Sequence, residues 1–143
     1  MYALERMRRL FPHARIVLIR RDPLDVINSI LQPNTFWLDC PKTIEHAVSF
    51  FKDYQRREHG FQDYDYIVRY EDLWNDPVCQ TARLLDALGL DPSGAERIVE
   101  QTRLGRNLPA GLSKVFREGT PGQGLKRFNA DERATIERML SEP

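Results

Sequence analysis

The sequence predicts an α/β fold, a parallel sheet with flanking helices. Two observations predict it. Ile16-Val17-Leu18-Ile19 is a short apolar run rich in β-branched residues, and an unbroken run suits a strand covered on both faces, as in a parallel sheet; Tyr66, Ile67, Val68 and Tyr70 make a second strand candidate. The segment between them carries helical periodicity, which points to a crossover connection and parallel pairing. A chain of 143 residues fits one domain and can bury roughly 68–70% of its unfolded surface.

The elements follow in order. Leu4, Met7, Leu10 and Phe11 recur at helical spacing, and Pro12 ends that amphipathic helix. After the first strand, Asp22-Pro23 opens a second helix, because Asp is a strong N-cap and Pro suits the first helical position. Asp25 falls three residues after the cap, where a carboxylate complements exposed N–H groups. Gln32-Pro33-Asn34 reads as a stop. Pro41 or Lys42 opens a longer helix whose buried face is Ile44, Ala47, Val48, Phe51 and Tyr54, and His59-Gly60 ends it. After the second strand, Tyr70-Glu71-Asp72 reads as a strand end followed by a polar turn. Asp76-Pro77 and Asp91-Pro92 repeat the cap-plus-proline start, the second preceding a helix through Val99. Gly105 to Gly124 is rich in Gly and Pro and reads as loop. Asn129 with Glu132 resembles a capping box for a last helix.

Composition narrows the function classes. The 21 basic and 21 acidic residues cancel, which argues against a globally basic nucleic-acid binder while allowing a local anion site. Cys40 and Cys79 form neither a disulfide framework nor a metal spacing, and the thiols fit a reducing, cytoplasmic setting. His13, His46 and His59 are scattered, with no metal spacing. No apolar run approaches the ~20 residues of a membrane span, and the N-terminus lacks the apolar stretch of a secretory signal.

Three constellations carry candidate chemistry. Arg21 stands where the first strand gives way to its helix, at the strand's carboxyl end, where ligands of open α/β sheets bind. Ser29 lies seven residues past the Asp22 cap, and helical side chains tilt toward the N-terminus. Arg and Ser together offer a forked cation and a neutral donor to a phosphate. Judged on chemistry alone, the stronger reading is an Arg paired with Asp22 or Asp25 and a Ser bonding its own helix. Tyr70-Glu71-Asp72 occupies the equivalent end of the second strand, where a ring can stack on a base; an ordinary polar turn fits equally. Arg117-Glu118-Gly119-Thr120-Pro121-Gly122-Gln123-Gly124-Leu125-Lys126-Arg127-Phe128 places glycines among cations, which lets backbone N–H groups approach an anion. It is not a Walker A loop, since Leu125 stands where Lys is required, and a plain surface loop fits it as well.

The order and spacing of these segments resemble the sulfotransferases that use 3′-phosphoadenosine 5′-phosphosulfate (PAPS). RRDPLDVINS is similar to that family's strand-to-helix element, in which an Arg and a Ser eight residues later hold the 3′-phosphate; Arg21 and Ser29 keep that spacing. YIVRYEDLWNDP resembles the next strand and helix, which implies that Tyr70 lies near the adenine. VEQTRLGRN resembles a further adenine-side segment and implies roles for Thr102 and Leu104. FREGTPGQGLKRF resembles the C-terminal glycine loop and implies roles for Arg117 and Gly119. Glu118 departs from the family's Lys, and Gln123-Gly124 from its Asp-Trp.

The resemblance implies a P-loop-NTPase-like sulfotransferase fold and transfer of a sulfuryl group from PAPS to an acceptor hydroxyl or amine, with no metal. The family's first strand and its 5′-phosphosulfate turn have no match here. Its catalytic Lys and His precede the strand at Arg15–Arg21, and His13 is not aligned with that base. The expectation is therefore a single, incomplete sulfotransferase domain over 1–143 carrying the 3′-phosphoadenosine end, with the catalytic residues unassigned. The expected partners are a small-molecule, glycan or peptide acceptor, with no nucleic acid and no membrane, and a homodimer through an exposed sheet edge. The rival is a non-catalytic nucleotide-binding or protein-interaction module of the same fold.

Overall fold

The computed structural model describes residues 3–32, 43–61, 63–102 and 119–142. The chain is mixed α/β and mostly helical. Its contacts divide it into two compact units, Met1–Arg20 with Phe61–Gly119, and Arg21–Gly60 with Thr120–Pro143.

In the first unit, β1 (Val17–Arg20) and β2 (Tyr66–Arg69) pair in parallel, as predicted, with Leu18 beside Ile67 and Ile19 beside Val68. The expected cover on both faces is incomplete. Leu18 and Val68 are buried, but Ile19 is 57% and Ile67 43% exposed. Cross-strand partners share a face, so each face holds one buried and one open residue. The reason is the width of the sheet, which has two strands among the described residues.

Helix α1 (Ala3–Leu10) forms at the predicted spacing, yet Met7, Leu10 and Phe11 of its apolar stripe are exposed. Polar contacts hold it instead. Arg8 Nη1 donates to the Ala14 carbonyl at 2.6 Å, and Nη2 to the Asp63 carbonyl at 2.7 Å and to Asp65 Oδ2 at 3.0 Å. Asp65 also accepts from the Ile16 N–H at 2.7 Å and from Arg15 Nη1 at 2.8 Å. The Ile16 amide first, then Arg15 and Arg8, hold the Asp65 carboxyl well below the usual carboxylate range. A carboxyl more acidic in the folded than in the unfolded chain stabilises the fold above its unfolded pKa of about 3.9, and that stabilisation is lost as pH falls below it. Urea unfolding between pH 6 and pH 3 should therefore show stability dropping below about pH 4. Asp65→Asn should lower stability at pH 6 and flatten the drop; curves that stay parallel would show that Asp65 does not link the fold to pH.

Tyr70 does not close β2. It begins α4 (Tyr70–Asn75), with Glu71 and Asp72 in the first turn, where carboxylates favour a helix over the expected polar turn. Helix α5 (Pro77–Ala87) starts at its Asp76 cap, whose carboxylate accepts from Cys79 N–H at 3.2 Å. Asp91 caps a 3₁₀ turn (Pro92–Gly94) that leads into α6 (Ala95–Thr102), so the helix expected through Val99 starts later and reaches Thr102.

The second unit is helical: α2 (Pro23–Ile30), α3 (Ile44–His59), α7 (Gln123–Arg127) and α8 (Ala130–Ser141). Thr43 caps α3, accepting from His46 N–H; Pro41 and Lys42, the expected start, lie outside the described residues. Asn129 and Glu132 form the predicted capping box, each side chain accepting from the other's backbone N–H at 2.9 Å. Leu24, Ile27, Ala47, Val48, Phe51, Phe128 and Ile136 form one buried cluster, whereas Tyr54, expected on the buried face of α3, is 54% exposed. Lys52 Nζ reaches the end of α8, donating to the carbonyls of Met139 at 3.0 Å and Glu142 at 2.8 Å. Those are carbonyls that the helix itself leaves without partners, and a cation suits that end of the dipole. The stretch read as loop through Gly124 turns helical at Gln123. Among the described residues no helix is long and apolar enough to cross a membrane, and no group of three or more His, Cys, Asp or Glu could hold a metal.

Candidate functional site

The second unit gathers Arg21, the first two turns of α2 and the glycine turn. Asp22 fixes the start of α2, its carboxylate accepting from the N–H groups of Leu24 at 2.9 Å and Asp25 at 3.2 Å. Pro23 adds a preset φ and no donor to satisfy. This local frame settles where Arg21 and Asp25 stand.

Asp25 is the residue on which the site turns. It is 2% exposed, a buried charge in a helix whose other buried residues are Leu24 and Ile27. Its Oδ1 accepts from the Gly124 N–H at 2.7 Å and its Oδ2 from the Gly122 N–H at 2.8 Å. These are short bonds, in the range of backbone donors to an ionised acceptor. One carboxylate thus spans two amides of a turn almost a hundred residues away in sequence. Arg21 Nη2 lies 3.4 Å from Asp25 Oδ2 and 3.4 Å from the Thr120 carbonyl. Arg21 keeps about a quarter of its side-chain surface exposed.

Two glycines make this geometry possible. Gly122 has φ +80°, a left-handed conformation that costs other residues energy. Gly124 lies directly against α2. A Cβ there would fall inside van der Waals contact of the Leu24 carbonyl group and 2.7 Å from the Asp25 nitrogen. Gly119, with φ +61°, precedes the turn and belongs to the first unit.

The sequence-predicted residues distribute as follows. Arg21 and Ser29 lie on one stretch of the second unit, with Ser29 exposed one turn beyond Asp25 on the same side of α2. Tyr70 and Thr102 belong to the first unit. Tyr70 is half-buried, its ring 6.3 Å from that of Trp74. Thr102 Oγ1 donates to the Ile98 carbonyl of its own helix at 2.7 Å. Leu104 and Arg117 lie outside the described residues. The pairing of Arg21 with Asp25, the stronger reading on chemistry alone, is present at long range. A cleft of about 230 Å³ in the second unit, lined by Leu31, Ile44, Arg127, Phe128 and Glu132, contains none of the predicted residues.

Sequence reasoning treated Asp25 as a helix-start carboxylate and missed its bonds to the turn. The signal was faint but present, in a carboxylate between Leu24 and Ile27 and a Gly-x-Gly pair at Gly122 and Gly124. Nothing local joins the two.

The protein is thus mixed α/β, with a cation at a strand-to-helix junction beside a backbone turn that a buried carboxylate holds to the helix. The chain belongs to the sulfotransferase family, whose family model matches residues 1–93. The matched range includes Arg21, Ser29 and Tyr70 and ends before Thr102, Leu104, Arg117 and Gly119. No curated protein matches the chain.

Proposed function

We propose that this chain carries the 3′-phosphoadenosine-binding part of a sulfotransferase that moves a sulfuryl group from PAPS to an acceptor hydroxyl or amine. The observation that carries the proposal is the position of Arg21, eight residues before Ser29 and 3.4 Å from the Thr120 carbonyl of the glycine turn, in a chain of this family. Its guanidinium offers a planar fork to a 3′-phosphate, and Ser29 adds a neutral donor. The family resemblance extends the proposal to Tyr70, near the adenine, and to Thr102, Leu104, Arg117 and Gly119 as further nucleotide-binding residues. The P-loop-like form of the fold belongs to the same proposal.

The reaction breaks the bond between sulfur and the phosphate oxygen of PAPS and forms a bond from sulfur to the acceptor oxygen or nitrogen. The acceptor's proton passes to a base, and 3′-phosphoadenosine 5′-phosphate departs. Charge builds on the leaving phosphate oxygen, so rate depends on cations there and on in-line positioning. The residues assigned to this chain hold the far end of the nucleotide, and their contribution is orientation.

Calorimetric titration with 3′-phosphoadenosine 5′-phosphate tests the reading. The wild-type chain should bind it more tightly than adenosine 5′-phosphate. Arg21→Ala should weaken the bisphosphate by about 10- to 140-fold, the 1.5–3 kcal/mol of a charged hydrogen-bonding group, and leave the monophosphate unchanged. Equal binding of both nucleotides by the wild type would overturn the proposal.

A second reading has its own support. Ile19 and Ile67 leave apolar surface open on the sheet, which suits a non-catalytic interaction module or a homodimer paired at the sheet. A light-scattering mass of two chains that reverts to one on Ile19→Lys, with no nucleotide bound, would favour it.

A further inference from the structure

The geometry points to Asp25 as a positioning residue for the anion site: its carboxylate locks the glycine turn beside Arg21, so that a phosphate held by Arg21 meets a turn already in place. The inference rests on the nucleotide reading and adds to it a residue that the 3′-phosphate does not touch.

Three features of Asp25 carry it. The carboxylate is buried, and burying a charge is costly unless polar partners surround it. Its partners are not those of a helix start. The N–H groups of the first turn of α2 bond to Asp22, and Asp25 aims both oxygens at Gly122 and Gly124 instead. The two bonds flank Gln123 and fix the turn at two amides, which sets its orientation as well as its distance. Oδ2 is shared, because the oxygen that accepts from Gly122 also faces Arg21 Nη2. Arg21 in turn faces the Thr120 carbonyl of the same turn. Carboxylate, turn and guanidinium therefore close a ring of contacts.

An anion approaching Arg21 competes with the long 3.4 Å contacts to Asp25 and Thr120. It does not compete with the short bonds at 2.7 and 2.8 Å that hold the turn. Loss of those two long contacts leaves both anchors of the turn in place. With Asn at position 25, one oxygen becomes an NH₂ group that faces an N–H donor, and the turn loses one of its two anchors.

The test compares 3′-phosphoadenosine 5′-phosphate with adenosine 5′-phosphate, so that the readout is the discrimination conferred by the 3′-phosphate. In Asp25→Asn that discrimination should fall about tenfold while the monophosphate binds as before. Gly122→Ala keeps both charges and strains only the turn, because φ +80° disfavours a residue with a Cβ, and should lower the discrimination in the same direction. It also serves as the test if Asp25→Asn does not fold, which circular dichroism reports. A merely structural Asp25 would lower the unfolding temperature and leave the ratio of the two affinities unchanged, and that result overturns the inference while the nucleotide reading stands. A wild-type chain that binds both nucleotides equally overturns the nucleotide reading, and the inference falls with it.

Discussion

Gly124→Ala should unfold or displace the glycine turn, with a loss near 3 kcal/mol. The added Cβ meets the Leu24 carbonyl group and the Asp25 nitrogen, which are backbone atoms of α2 and have no rotamer to change. Overpacking in a dense region typically costs about 1–3 kcal/mol, and the upper end applies where rigid backbone is the obstacle. Either α7 moves off α2, which breaks the Asp25 bond to residue 124, or α2 itself shifts. For a chain of this length such a loss lowers the unfolding temperature by roughly 10 °C. Thermal unfolding followed by circular dichroism measures it. A fall of less than about 2 °C would mean that the turn can move away at little cost, and that the close approach of α7 to α2 is not a constraint on the fold.

Ile27→Ala is the second large effect. Ile27 is fully buried and belongs to the cluster formed by Leu24, Ala47, Val48, Phe51, Phe128 and Ile136. Those residues come from α2, α3 and the segment 128–136, so removing the side chain leaves a void facing several elements. Buried Ile to Ala substitutions cost about 2–5 kcal/mol, the spread reflecting how far neighbours collapse into the space. Ile27→Val should cost much less, about 1 kcal/mol. Urea titration at neutral pH gives both values. If the two variants were equally stable, Ile27 would be packed against mobile neighbours and would not be a keystone of the second unit.

Much of the secondary structure was legible because its signals are local. Asp22-Pro23, Asp76-Pro77 and Asn129 with Glu132 each mark a helix start with groups that bond a few residues ahead, and all three stand where expected. Parallel pairing followed from two apolar runs joined by a helical segment. The errors share a cause. Tyr70 looked like a strand end because its ring and the run before it favour strands, whereas Glu71 and Asp72 tipped the chain into α4. Cover over Ile19 and Ile67 depends on what packs against the sheet, which the composition of a strand does not state.

The site was legible in part. That Arg21 and Ser29 share one strand-to-helix segment was legible, because the Asp22-Pro23 start between them is a local signal. The bonds of Asp25 to Gly122 and Gly124 were not, because a carboxylate three residues into a helix already has a sufficient local explanation. Only the fold shows that Asp22 satisfies the helix start and leaves Asp25 to a partner elsewhere.

The 97-residue separation between Asp25 and Gly122 also orders events during synthesis. At about 5–20 residues per second, Asp25 leaves the ribosome roughly 5–20 seconds before the amide it binds. The intervening Phe61–Gly119 belongs to the other unit, so that unit completes its chain first. Throughout that interval Asp25 lacks the two amides that bind it in the fold, and the apolar side chains of segments 23–30 and 44–59 lack Phe128 and Ile136. The second unit can therefore close only after Thr120–Pro143, which supplies Gly122, Gly124, Phe128 and Ile136, has been made.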